Sequence, residues 1–131
     1  MKGFDTPVLL GLLRGDPVAR QLVRRLQGEE LATTEWNLLE LEILARSDPT
    51  PGREHRRAAL EKLRRRLTVL PIDQRAVAAV AGMRPSGTLG HSLAVTAILA
   101  AMESRGCTEW FTDAKTARKA PRTRVKVQVA K

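Results

Sequence analysis

The sequence predicts an α/β fold, a three-layer α/β/α sandwich around a mostly parallel sheet of about five strands. Two observations predict it. Short apolar or β-branched runs alternate with longer stretches of helical spacing over almost the whole chain of 131 residues. The first run also delivers an acid, Asp5, and a hydroxyl, Thr6, directly into a second apolar stretch, Pro7-Val8-Leu9-Leu10. A buried parallel strand has this form when it places one carboxylate at the edge of a sheet, where open α/β sheets bind ligands. The length and the 43% apolar content suit one globular domain, residues 1–131, with its own core. There is no internal repeat, low-complexity stretch or linker.

The elements follow in order. Residues 2–5 read as the first strand. Asp16-Pro17 opens a helix, since Pro is tolerated in a first turn. Val18, Leu22, Val23 and Leu26 continue it at helical spacing until Gly28. Glu30-Leu31-Ala32-Thr33 is the second strand. Thr34 is placed to cap the next helix, whose Leu38, Leu39, Leu41, Ile43 and Leu44 predict a thick apolar face. Asp48-Pro49-Thr50-Pro51-Gly52 is a loop. A basic helix follows, with Ala59, Leu60, Leu63 and Leu67 on its apolar side. Leu67-Thr68-Val69-Leu70-Pro71 reads as the third strand, and Asp73 caps a helix carrying Ala76, Val77, Ala79 and Val80. Gly82 to Gly90 is a connection containing Pro85, Ser86 and Gly87. His91 to Arg105 is the most apolar helix, closed by Gly106. Cys107 to Phe111 is the fourth strand, residues 114–119 make one helical turn, and Thr123 to Val129 form an exposed, basic edge strand.

Composition narrows the function. No apolar run approaches the ~20 residues that span a bilayer, and the N-terminus lacks a basic-then-apolar export pattern. A single cysteine, Cys107, excludes an internal disulfide framework and fits the reducing cytoplasm. No Cys/His cluster suggests zinc, so any metal is held by oxygen. The net charge of +9 points to a polyanion partner, nucleic acid first. Residues 53–66 hold seven cations against Glu54 and Glu61, and seven basic residues but no acid follow Asp113. Aromatics make up only 3% of the chain, which disfavours a base-stacking platform. The charge therefore reads as backbone attraction, with Arg53, Arg56, Arg57, Arg64 and Arg65 as phosphate contacts; a solvated helix face is the plain alternative. His55 reads as surface, Cys107 as a buried strand residue, and Trp36 and Trp110 as packing residues, Trp36 at an interface if the chain dimerises.

Three acids are candidates for chemistry. Asp5 ends the first strand; capping of the following helix is its other reading. Asp113 lies just after the fourth strand. Glu40 lies among Leu38, Leu39 and Leu41, either facing inward or at the border of the apolar face beside an exposed Glu42. Converging, they make an oxygen-only site suited to Mg²⁺ or Mn²⁺, able to activate water and clamp a phosphate.

These residues carry a family resemblance. Phe4-Asp5-Thr6-Pro7-Val8-Leu9 resembles the opening of PIN-domain ribonucleases, in which an Asp-Thr pair ends the first strand. Ala32-Thr33-Thr34 followed by Leu39-Glu40-Leu41 resembles their second signature, a helix carrying a Glu. Gly106-Cys107-Thr108-Glu109-Trp110-Phe111-Thr112-Asp113 resembles their last signature, with its Thr and Asp. Size and layout are most similar to the toxin subunits of Vap-type toxin–antitoxin pairs. The resemblance implies a Mg²⁺- or Mn²⁺-dependent endoribonuclease that cuts RNA, forms a homodimer and is inhibited by a small antitoxin. It also implies that Asp5, Glu40 and Asp113 are its catalytic acids and metal ligands.

The chain departs from that pattern in two places. The family places a further Asp at the start of the long apolar helix, and the matching position is Val95; no acid lies between Asp73 and Glu103. His91 and Ser92 stand nearby as substitute ligands, a plain polar helix end being the other reading of His91. The last motif also places Asp113 directly after Thr112, leaving Ala114 at the usual position. Such a chain either cuts RNA through its remaining acids or keeps the fold and basic surface and binds RNA or a protein partner without cutting. A basic, purely helical DNA-binding domain is disfavoured by the alternating strands.

Overall fold

The computed structural model describes residues 1–47, 53–83 and 93–131. The expected loop at 48–52, most of the connection at 82–90, His91 and Ser92 lie outside the described residues, as does the side chain of Arg53. The elements run in the order β1 (Lys2–Phe4), α1 (Thr6–Leu13), α2 (Pro17–Arg25), β2 (Leu31–Thr34), α3 (Glu35–Ser47), α4 (Arg53–Arg66), β3 (Thr68–Leu70), α5 (Gln74–Ala79), a 3-10 turn (Val80–Gly82), α6 (Leu93–Ser104), β4 (Glu109–Thr112), α7 (Ala114–Arg118) and β5 (Lys126–Val129). Among the described residues no helix is long and apolar enough to cross a membrane.

The five strands form one sheet in the order β3-β2-β1-β4-β5, and every neighbouring pair is parallel. The chain builds outward from β1 to β2 and β3, then crosses back to lay β4 on the other side of β1. The direction therefore reverses beside the first strand. Lys2, Gly3 and Phe4 pair with Glu109, Trp110 and Phe111, so β1 and β4 end side by side. The ends of parallel strands at such a reversal form a natural crevice.

Each face of the sheet carries its own core. Phe4, Val8, Leu9, Leu22, Leu41, Leu60, Leu67 and Phe111 pack on one side. Ala32, Leu70, Met83, Ile98, Leu99, Met102, Cys107, Trp110 and Val125 pack on the other. The alternation of side chains along a strand explains the split: adjacent Trp110 and Phe111 enter opposite cores. Phe4 and Phe111 meet edge to face, with ring centroids 6.0 Å apart. A Cβ at Gly3 would lie 2.7 Å from the sulfur of Met102 and 3.2 Å from that of Cys107. Glycine at this position thus lets α6 approach the central strand.

The helix boundaries have local causes. Pro17 occupies the first turn of α2, and the Asp16 carboxylate accepts from the Val18 N–H at 3.4 Å. Asp73 caps α5 by accepting from the Ala76 N–H at 3.1 Å. Gly106, at φ 75°, turns the chain out of α6, while Cys107 N–H donates to the Met102 carbonyl at 3.0 Å.

Two details differ from the sequence-based expectation. The fourth strand begins at Glu109, so Cys107 is buried just ahead of it. The thick apolar face of α3 is only partly used: Leu38 and Leu41 are buried, but Leu39, Ile43 and Leu44 are 56%, 56% and 43% exposed. Five apolar side chains within seven residues subtend more of a helix than one packing partner covers, so α3 leaves an apolar strip uncovered within the chain. The basic edge strand is outermost, as expected, but β5 runs from Lys126 rather than Thr123, and within it only Lys126 is exposed.

Candidate functional site

The site is built at the C-terminal ends of β1, β2 and β4. Asp5 follows Phe4, and its N–H donates to the Phe111 carbonyl at 2.9 Å, extending the β1–β4 ladder by one bond. Asp5 holds the N-cap position of α1, but its carboxylate makes no capping bond there. The carboxylate is 5% exposed. One oxygen accepts from the Asn37 carboxamide at 2.9 Å and the other from the Thr112 hydroxyl at 2.6 Å. A buried charge requires such donors, and these come from helix α3 and strand β4.

Asn37 is itself fully buried. Thr34, the last residue of β2, directs both its hydroxyl (2.6 Å) and its N–H (3.3 Å) at the carboxamide oxygen of Asn37. The Asn37 N–H returns to the Thr34 hydroxyl at 3.2 Å. This is the reciprocal bonding of a capping box, with Asn in the place usually held by Glu or Gln. The Asn37 nitrogen then donates to Asp5 and, at 3.0 Å, to the Thr6 hydroxyl.

Glu40 lies one helical turn beyond Asn37 at the border of the buried face, half-buried. Its proton affinity is raised, first by burial and then by the charge of Asp5, against hydrogen bonds from Trp36 and the Thr6 side chain. Glu40 thus lies near enough to Asp5 for the charge of one acid to act on the other. Asp5 is raised as well, chiefly by burial and in smaller part by the charge of Asp113; Thr112, the Thr6 backbone and Asn37 work in the opposite direction. Every interaction that lowers either acid comes from a neutral donor.

Asp113 is exposed and caps α7, accepting from the Thr116 N–H at 2.7 Å. It stands beside the pair and acts on Asp5 through charge. Among the described residues no group of three or more Asp, Glu, His or Cys side chains could hold a metal ion. Val95 is half-buried on α6 against the core. Of the expected phosphate contacts, Arg64 pairs with Glu61 at 3.4 Å and with Glu42 at 3.9 Å. Arg57 shares a small cleft with Glu42 and Arg46, Arg65 and His55 are exposed, and Arg56 is half-buried. Trp110 is a core residue, while Trp36 is 40% exposed beside Glu40.

Reading the sequence missed Asn37 and the hydroxyls of Thr6 and Thr112. One signal was present: Thr34, Asn37 and Glu40 recur every three residues, which places them along one side of a helix start. A polar residue between a capping Thr and a candidate acid is poorly explained as solvated.

A model of the PIN domain family matches residues 4–120. No curated protein matches the chain. Among solved structures, the chain is similar to VapBC2 from Rickettsia felis bound to a DNA fragment from its promoter, with TM-score 0.79 and 12% identity over 99% of this chain and 98% of that one. It is also similar to DNA-bound VapBC from Salmonella typhimurium, with TM-score 0.73 and 19% identity over 99% and 98%. FitAB bound to a DNA fragment gives TM-score 0.73 and 20% identity over 99% and 95%. At these identities the likeness speaks for the fold, and the family model agrees with it over most of the length. The chain belongs to the PIN domain family.

Proposed function

We propose that this chain is a divalent-metal-dependent endoribonuclease and the toxin of a toxin–antitoxin pair, a homodimer working in the cytoplasm. The observation that carries the reading is the pairing of Asp5 with Glu40 at the reversal of the sheet, two acids of raised proton affinity with neutral donors around them. A hard divalent cation is the counter-charge such a pair lacks. Mg²⁺ or Mn²⁺ needs only one or two protein carboxylates, its other positions going to water and phosphate oxygens. Asp5 and Glu40 would hold it, with Asp113 on the rim as the third acid. Bound there, the ion lowers the pKa of water and polarises a phosphoryl oxygen.

The chain's own residues supply the rest. Asn37 and Thr112 fix the Asp5 carboxylate. Glu40 is more exposed than Asp5, and its raised proton affinity suits it to take the proton of the attacking water. Arg53, Arg56, Arg57, Arg64 and Arg65 on α4 hold RNA phosphates. The antitoxin has its own surface: a groove between α1, α2 and α4 with a floor of Leu12, Leu13, Val23 and Leu63 and a rim of Arg20, Arg24, Lys62 and Arg66. Its apolar floor and cationic rim suit an acidic, amphipathic segment. The likeness to VapBC and FitAB complexes supports a partner of this kind.

A second reading has its own observation. Val95 stands where the family places an acid, and no three-acid group is found among the described residues. That favours a module that binds RNA or a protein without cutting it.

Cleavage of a structured RNA separates the two readings. Mg²⁺ or Mn²⁺ should support it and chelator stop it. Asp5→Asn and Glu40→Gln should each lower the rate roughly 100-fold or more, beyond the usual loss for a residue that only supports a ligand. RNA binding with no cleavage under any metal establishes the second reading instead.

The same acids predict a pH signature of stability. The folded Asp5 carboxyl holds its proton more tightly than the unfolded one, whose ordinary value is 3.8. The stability this provides is complete below that value and is lost as pH rises through the folded one. In metal-free solution, Asp5→Asn should therefore raise Tm by a few degrees near neutral pH and leave it almost unchanged below about pH 4. Mg²⁺ should raise the Tm of the parent chain and not of the variant. Equal melting of the two at every pH would refute a costly buried charge at Asp5.

The surfaces have separate tests. The logarithm of RNA affinity should fall linearly with the logarithm of salt, and removing Arg57 and Arg65 together should reduce the slope by about 2. An unchanged slope means that these arginines do not touch phosphate. A protein encoded beside this chain should co-purify with it and block cleavage. Val23→Glu with Leu63→Glu should release that partner while cleavage persists; retention of the partner places it elsewhere.

A further inference from the structure

We propose that Asn37 is a positioning residue that sets the Asp5 carboxylate in register. The inference rests on the metal-nuclease reading of Asp5 and adds to it the group that aligns this acid. Asn37 is fully buried, and its two ends are committed differently. The carboxamide oxygen receives the Thr34 hydroxyl at 2.6 Å and the Thr34 N–H at 3.3 Å. The nitrogen reaches an oxygen of Asp5 at 2.9 Å and the Thr6 hydroxyl at 3.0 Å. The opposite orientation would set the amide oxygen against the Asp5 carboxylate and the amide nitrogen against the Thr34 N–H. The network therefore admits one orientation.

The Asn37 nitrogen thus ties Asp5, at the end of β1, to Thr6, at the start of α1. Capping of α3 uses only the oxygen and the backbone N–H of Asn37. Its side-chain nitrogen takes no part in that cap. Outer partners of this kind fix the direction in which a carboxylate presents its remaining lone pairs.

Three variants, read by Mn²⁺ titration calorimetry, RNA cleavage and melting, test the proposal. Asn37→Ala should weaken Mn²⁺ binding about 10- to 100-fold. Asp73→Ala removes a cap of the same kind from α5, away from the acids; it should lower Tm comparably and leave Mn²⁺ affinity within about threefold of the parent. Asn37→Asp keeps an oxygen for Thr34 but turns the donor into an acceptor. It should melt below the parent, since it sets a buried like charge against Asp5, and cut RNA with kcat reduced about 10- to 100-fold at a nearly constant KM. The proposal is overturned if Asn37→Ala binds Mn²⁺ like the parent, if Asp73→Ala loses as much affinity, or if Asn37→Asp keeps the parent kcat. A parent chain that neither binds Mn²⁺ nor cuts RNA removes the metal-nuclease reading itself, and this proposal with it. A parent that does both, beside an unaffected Asn37→Ala, removes the proposal alone.

Discussion

A carboxylate buried at the end of a central strand is the constraint on which this structure turns. Leaving such a group without donors costs several kcal/mol. The sheet order reduces that cost by placing β2 and β4 on either side of β1. β4 carries Thr112 to one oxygen of Asp5, and the turn from β2 into α3 carries Asn37 to the other. The strand pairing, the cap of α3 and the polar site are therefore one arrangement. The close approach of α6 over Gly3 and the edge-to-face contact of Phe4 with Phe111 hold that strand from its two faces.

The donors around Asp5 satisfy its hydrogen bonds and leave its charge uncompensated. Thr112, Asn37 and the Thr6 backbone lower its proton affinity, yet burial outweighs them. Glu40 adds a second negative group at the same edge, and the charge of Asp5 disfavours its ionisation. Carboxylates used only for structure in small domains are commonly tied to Arg or Lys, as Asp73 is to Arg105 on this same chain. The contrast within one molecule is between an acid paired with a cation and two acids whose hydrogen-bond donors are all neutral.

Much of the fold was legible in the sequence because periodicity reports burial, and burial organises layers. The five strands fell where β-branched and apolar runs met turn residues, and Asp73 capped the helix it was expected to cap. The parts that resisted are those where tertiary contacts decide. Asp5 sits where an N-cap belongs, and only the position of Asn37 and Thr112 in space turns its side chain away from the helix. Asn37 reads locally as an ordinary polar residue in a first turn, because nothing in sequence spacing reveals a contact across 32 positions. Leu39, Ile43 and Leu44 read as core because apolar residues at helical spacing carry no record of which partner covers them. Glu40 stood between inward and border, and the border is its place, half-buried with its carboxylate reaching Thr6.

Val95, where the family pattern has an acid, and Asn37 beside Asp5 are consistent on electrostatic grounds. Burial already raises the proton affinity of Asp5 and of Glu40, and the charge of Asp5 raises that of Glu40 further. A third buried acid would add a like charge at short range, and its cost would fall on all three groups until a cation neutralised them. Val95 lies instead against the core of the α6 face. Asn37 adds two directed donors and no charge. A site of two acids and one amide needs less counter-charge to form than a site of three acids.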